Sequence, residues 1–375
     1  MPRVTALILA PDLAADAGPL ERLLDDARGA LAERHRDALL AAGAASIVVR
    51  REPPDDTPFG GRLRRLVEEL RPEGLVVMGA GALPLATPAD LRALVEAAAA
   101  DEPRALANVR YSADAIAISR APESLHGLPD LLSDNALPRW LAEIAGVPVS
   151  DLARRRRLAM DVDSPLDLLL LEGVRGLHLP VPDAPTGGAV RPRLAALRAL
   201  AADASGEVVV AGRTSAADLR WLERRTRSRT RALVEERGLR TAGAAAAAGR
   251  PNRRPPRSVL GLLLDRDGPA SLGAHLAGLG DGALVDTRVL LAHRLGADER
   301  TWPAPEDRYA SDLLLAGRIR DPWLRALTAS AVAAPVPILL GGHGLVGPGV
   351  RLAFGGAGTG DRIGPGDSRP ARALA

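Results

Sequence analysis

At 375 residues the chain exceeds the usual single-domain size, so two domains are expected. The formal net charge is only +3, and four Trp, two Tyr and two Phe offer few stacking surfaces, which argues against a nucleic-acid partner. Every basic side chain is Arg, which excludes Schiff-base and Walker-type lysine chemistry, and the absence of Cys excludes disulfides, thiolate zinc sites and thiol nucleophiles.

Taken in order, the first apolar run, Val4–Leu9, is short for a signal peptide and reads as a buried strand. No apolar stretch reaches transmembrane length, so a cytoplasmic protein with no membrane partner is expected. Leu20–Ala42 has its leucines on one side and closes at Gly43, as an amphipathic helix does. Strands are expected at Ser46–Arg50, Gly74–Met78, Ala113–Ser119 and Leu158–Val162, with helices over Arg62–Leu70 and from Thr87 to about Ala100. Apolar strands alternating with helices imply an α/β fold with a mostly parallel, helix-covered, Rossmann-like sheet. Pro180–Pro192 reads as a linker to a second α/β domain spanning residues 193–355. There, Glu207–Ala211 suggests a strand and Ser215–Arg237 a long Arg-rich helix, with further apolar runs at Ser258–Leu264, Gly282–Ala292 and Pro337–Leu340. Ala242–Pro256 is low in complexity, and residues 356–375 read as a disordered tail.

Ligands of parallel sheets bind where strands run out into loops. Two such loops stand out, Gly79–Pro84 and Asp161–Pro165. In an extended strand residues i and i+2 share a face, so Asp161 and Asp163 could reach one cation of the oxygen-preferring kind, such as Mg²⁺. The plainer alternative makes Ser164 an N-cap, Pro165 the first helical residue and Asp167 a carboxylate favoured by the helix dipole.

Three stretches in residues 1–175 resemble the glycosyltransferase-A-type nucleotidyltransferases, the branch of 2-phospholactate guanylyltransferase and the molybdenum-cofactor nucleotidyltransferases. They are the helix–glycine–strand sequence Ala30–Val49, the strand and P-L-x-T-P-x-D-L turn Gly74–Leu91, and the Asp161-Val-Asp-Ser-Pro-Leu-Asp-Leu168 motif. The resemblance implies a domain of that type over residues 1–179, binding a nucleoside triphosphate and a small phosphorylated acceptor. It implies Mg²⁺ held by Asp161 and Asp163, with Asp163 and Arg22 catalytic. Arg22 and Arg28 would meet the nucleotide beside Gly79, Ala80 and Gly81. Two departures accompany it: the loop Ala10–Arg22 has one glycine where the family carries a glycine-rich phosphate loop, and Gly79–Ala82 stands where the family's central strand ends in a metal-binding Asp.

Asn108, Ser112 and Asp114, in a polar stretch between two strands, are candidate substrate contacts, as is Asn135 in Ser133–Trp140, where Ser133 or Asp134 could alternatively cap a helix. Arg154–Arg157 reads as a solvated charge run, and His343 in its glycine loop as structural rather than acid–base. Three functions compete: an Mg²⁺-dependent nucleotidyltransferase, a degenerate module that binds a nucleotide or sugar nucleotide without turnover, and a glycosyltransferase of the same fold. Oligomeric state has no sequence signal.

Overall fold

The computed structural model describes residues 2–52, 57–236 and 256–355. It is an α/β protein with two sheets. The first contains β1 (Val4–Pro11), β2 (Ser46–Glu52), β3 (Gly74–Gly79), β4 (Ala105–Ala107), β5 (Ala115–Ile118) and β6 (Val149–Asp151), in the order β2-β1-β3-β5-β4-β6. β1 is parallel to both neighbours and β4 to β6, but β5 is antiparallel to β3 and to β4. The sheet is therefore mixed, and the two shortest strands, β4 and β6, escape hydrophobic patterning because three residues carry no readable period.

The second sheet, β7 (Glu207–Gly212), β8 (Arg229–Val234), β9 (Gly282–Asp286) and β10 (Ile338–Gly341), is wholly parallel in the order β10-β9-β7-β8. The long helix expected over Ser215–Arg237 is instead a helix, Ala216–Arg225, followed by β8. Thr226 turns extended at the helix end, and β8 pairs with β7 on one side, so its arginines stand on an exposed edge strand. An arginine-rich edge strand is protected against further pairing, and composition cannot separate it from a salt-bridged helix.

Pro180–Pro192 contains the one-turn helix Ala184–Gly187 and the start of Val190–Ala201. The strands of the first sheet pack in two clusters of their own, and a third cluster joins Leu20, Leu24 and Leu31 of the first helix, Pro19–Ala41, to Val209, Leu284 and Leu339 of the second sheet. Between them lies the helix Pro165–Leu171, every residue of which is buried. Fully burying a leucine contributes roughly 1.5–3 kcal/mol, so the five leucines of this helix fasten the acidic turn that precedes it to this core. The low-complexity stretch Ala242–Pro256, apart from Pro256, and the tail 356–375 lie outside the described residues. Among the described residues no helix is long and apolar enough to cross a membrane.

Candidate functional site: a carboxylate cleft

The helix Pro19–Ala41 organises the carboxyl end of the first sheet. Residues seven apart lie on one helical face, and Arg28 and His35 are so placed. Arg28 Nε donates to the Val162 carbonyl at 2.9 Å and Nη2 to Asp163 Oδ1 at 3.3 Å. His35 Nε2 lies 2.9 Å from the Ala82 carbonyl, and Arg34 Nη1 donates to the Pro84 carbonyl at 2.8 Å. One helix thus holds both the glycine turn after β3 and the acidic turn at 161–163.

The two turns also bond to each other. Val162 N–H donates to the Gly81 carbonyl at 2.9 Å, and Ala82 and Asp161 form an isolated antiparallel bridge. Gly81 is required here, because a Cβ would meet the Val162 carbonyl oxygen at 2.7 Å. Leu83, with φ of 53°, sits in the left-handed region that side chains other than glycine seldom adopt, so the turn is strained. The expected strand Leu158–Val162 is reduced to this bridge: Arg156–Ala159 forms a 3₁₀ turn instead. Consequently Asp161 and Asp163 are not equivalent. The Asp163 side chain is 69% exposed, whereas Asp161 Oδ1 is buried with no hydrogen-bond partner among the described residues.

The turn before Asp90 is a clamp. The Asp90 carboxylate accepts from Thr87 N–H at 2.8 Å, capping the helix Pro88–Ala98, and pairs with both Arg155 and Arg157. Arg155 and Arg157 are therefore not a solvated run; they anchor the segment that delivers Asp161. The capping reading of the acidic motif also holds, since Asp167 Oδ2 accepts from Ser164 N–H at 2.7 Å and Asp163 N–H at 3.0 Å.

A cleft of about 340 Å³ opens beside these turns, lined by Ala10 and Pro11 from β1, Gly79 from β3, Arg50, Phe59, Arg62, Asp114 and Asp134. Burial, with the charges of Asp134 and Asp163, pushes the Asp114 carboxyl up to about 7 against the hydrogen bond from Asn108. Asp134 is likewise raised, by burial and then by Asp163. Asp161 is raised well above the ordinary carboxylate range by burial, then by the charges of Asp163, Asp114 and Asp167. These mutual influences mark one connected acidic group.

Of the residues expected from sequence, Arg28, Gly79, Gly81, Asp114, Asp161 and Asp163 are brought together. Ala80 is buried and donates its N–H to the Leu9 carbonyl, so it serves the backbone of β1. Arg22 is exposed and donates Nη1 to the Ala17 carbonyl in its own turn, and among the described residues it makes no hydrogen bond or ion pair with the acidic group. Asn108 is fully buried, its amide spent on Asp114, Ala115 and Leu158, so it positions Asp114 and is closed to a substrate. Ser112 is half-buried and bonded through its N–H to Val109, and Asn135 is exposed, donating its N–H to Asp134 Oδ1. Asp134 was expected at most to cap a helix; it opens a 3₁₀ turn, with no side-chain cap from Ser133, and faces the cleft.

The loop after β1 differs from a phosphate cradle in a specific way. The first N–H groups of Pro19–Ala41 already have an anion: Glu306 Oε2 accepts from Leu20 N–H at 3.0 Å and Glu21 N–H at 3.3 Å. A carboxylate there satisfies donors and dipole that would otherwise suit a phosphate.

His35 yields a prediction. Burial lowers its pKa from 6.5 to about 4, so it folds neutral. The unfolded chain binds the extra proton between those values, so the stability His35 contributes is full above about 6.5 and lost as pH falls towards 4. Urea unfolding at pH 7.5 and 5.0 should show wild type losing about 2 kcal/mol more than His35→Gln over that interval. Equal losses in the two proteins would remove the assignment.

No protein-family model matches this chain, and no significant relative is found among curated proteins.

Proposed function

We propose that the cleft binds a nucleoside triphosphate and that the protein transfers its nucleotidyl group to a small phosphorylated acceptor. The observation that carries this reading is the bonding of the acidic turn 161–163 onto the glycine turn 79–81 with Arg28 beside them. Nucleotidyl transfer asks a protein mainly for positioning and charge: an acceptor oxygen attacks the α-phosphorus and pyrophosphate leaves. Arg28 is aligned by the Val162 carbonyl and supplies positive charge beside the acidic turn. The glycine turn lets a ligand approach the backbone.

Among the described residues no three His, Cys, Asp or Glu side chains converge tightly enough to hold a metal alone. Mg²⁺ in such sites is often held by one or two carboxylates and completed by substrate phosphates. Asp163 and the unpartnered Asp161 oxygen fit that demand, and the cation would neutralise charge on the phosphates.

A second reading, a nucleotide or sugar-nucleotide binding module without turnover, draws support from Glu306 filling the helix start that would meet phosphates. Thermal-shift screening of GTP, CTP, ATP and sugar nucleotides, with and without Mg²⁺, separates the two. Metal-dependent stabilisation by a triphosphate supports transfer; metal-indifferent stabilisation supports the binding module. No shift with any nucleotide under either condition removes both.

A further inference from the structure

Gly79 ends β3 on the floor of the cleft, and nothing in the packing demands glycine there. A Cβ at this position would meet no heavy atom within 4 Å, and its φ is ordinary. The end of the central strand is therefore free to carry a side chain and carries none.

The neighbouring strand supplies one. Because β5 runs antiparallel to β3, with Met78 opposite Ala115, the residue entering β5 stands beside the residue leaving β3. Gly79 N–H donates to the Asp114 carbonyl at 3.1 Å, and both residues line the same cleft. A parallel β5 would have put its first residue at the opposite edge of the sheet.

Asp114 is held in place. Asn108 Nδ2 donates to Asp114 Oδ2 at 3.1 Å and to the Leu158 carbonyl at 2.9 Å, while Asn108 Oδ1 accepts from Asp114 N–H at 3.1 Å and Ala115 N–H at 3.2 Å. The buried amide thereby ties Asp114 to the segment that leads into Asp161. Among the described residues neither Asp114, Asp134 nor Asp161 forms an ion pair with an arginine, and Asp161 Oδ1 is buried and unpartnered. Three carboxylates without arginine partners, one of them with an oxygen lacking any donor, beside an Asp163 that meets Arg28 at 3.3 Å, are what a hard divalent cation relieves.

We propose that Asp114 is the second carboxylate of a divalent-cation site facing Asp163, taking the place of the acid absent from the end of β3, with Asn108 as its positioning residue. This deepens the nucleotide reading above and rests on it. The carboxylate has moved one strand across and kept its place at the cleft.

Mn²⁺ serves as the probe, titrated into the full-length protein and followed by the electron paramagnetic resonance of the free ion. Asp114→Asn and Asp163→Asn should each weaken Mn²⁺ binding at least tenfold. Asp130→Asn, which removes only a surface partner of Arg64, should leave it unchanged. Gly79→Asp placed in the Asp114→Asn protein should regain binding, since the open space at position 79 accepts a side chain. Wild-type affinity in Asp114→Asn, with binding lost in Asp163→Asn, overturns the role of Asp114 and leaves the nucleotide reading standing. A wild-type protein that binds no Mn²⁺, or an Asp163→Asn protein that loses none, overturns both. Should Asp114→Asn fail to fold, Asp114→Glu keeps the charge and shifts it by one methylene; unchanged Mn²⁺ affinity in that variant overturns the proposal.

Discussion

Asp163→Ala is expected to lower the proposed Mg²⁺-dependent nucleotidyl transfer at least about a hundredfold, the usual scale for removing a group that stabilises transition-state charge. Stability should hardly move, and the reason lies in exposure. Asp163 is 69% exposed and its ion pair with Arg28 spans 3.3 Å. An exposed pair of this kind contributes at most about 1 kcal/mol. Removing the Asp163 charge also relieves repulsion felt by Asp161, Asp114 and Asp167. Pyrophosphate release and thermal melting, measured on the same preparation, separate the two effects. A variant that keeps its rate within about threefold would sink the transfer reading, given the size of effect such residues have.

Arg288→Ala should destabilise the fold by about 3–5 kcal/mol, the cost of leaving a buried charge without its partner. Arg288 is buried and meets both oxygens of Asp312, Nη2 at 2.6 Å from Oδ2, while Nη1 also donates to Thr287 Oγ1 at 3.0 Å. The Asp312 side chain has no exposure at all. Burial already raises its pKa, and the Arg288 charge is the chief opposing influence. Truncating the arginine strands that carboxylate between the helices Thr287–Leu295 and Pro305–Asp312. The pair as a whole is worth much less than its halves. Arg288→Met combined with Asp312→Leu should recover most of the loss, because apolar replacements of a buried pair are often neutral. Urea unfolding of wild type, Arg288→Met, Asp312→Leu and the double closes the cycle, with Arg288→Ala measured beside it. A single-variant loss below about 1 kcal/mol would mean that water reaches Asp312 in the folded chain.

These two outcomes bear on different questions. Asp163 stands exposed on the acidic turn beside the cleft, where its loss should spare the fold; Arg288 and Asp312 are buried in the helices that cover the second sheet, where the loss of one should not. The apolar cluster that joins the first helix to the second sheet explains the connection between the two halves. Glu306, in the same helix as Asp312, reaches the start of Pro19–Ala41, so the second sheet's cover also settles the charge balance of the loop after β1.

The hydrophobic pattern was enough to place β1, β2, β3, β5 and β7, together with the helices Pro19–Ala41 and Pro88–Ala98, because burial on a strand or a helical face leaves a period in the sequence itself. It also showed that Ser164 and Asp167 would begin a helix, and that Asp161–Asp163 and Gly79–Gly81 were turns of interest, since caps, prolines and glycines act over a few residues. Absence of Lys and Cys closed whole classes of chemistry without any coordinates.

What needed the folded chain was everything that depends on residues far apart in sequence. No local signal says that Asp90 will grip Arg155 and Arg157, that His35 and Arg28 will hold two separate turns, or that Glu306 will cap a helix almost three hundred residues earlier. Strand direction is of the same kind: β5 pairs antiparallel with β3, and that pairing sets Asp114 beside Gly79. Periodicity records which side of an element is buried, and it is blind to what the element is buried against.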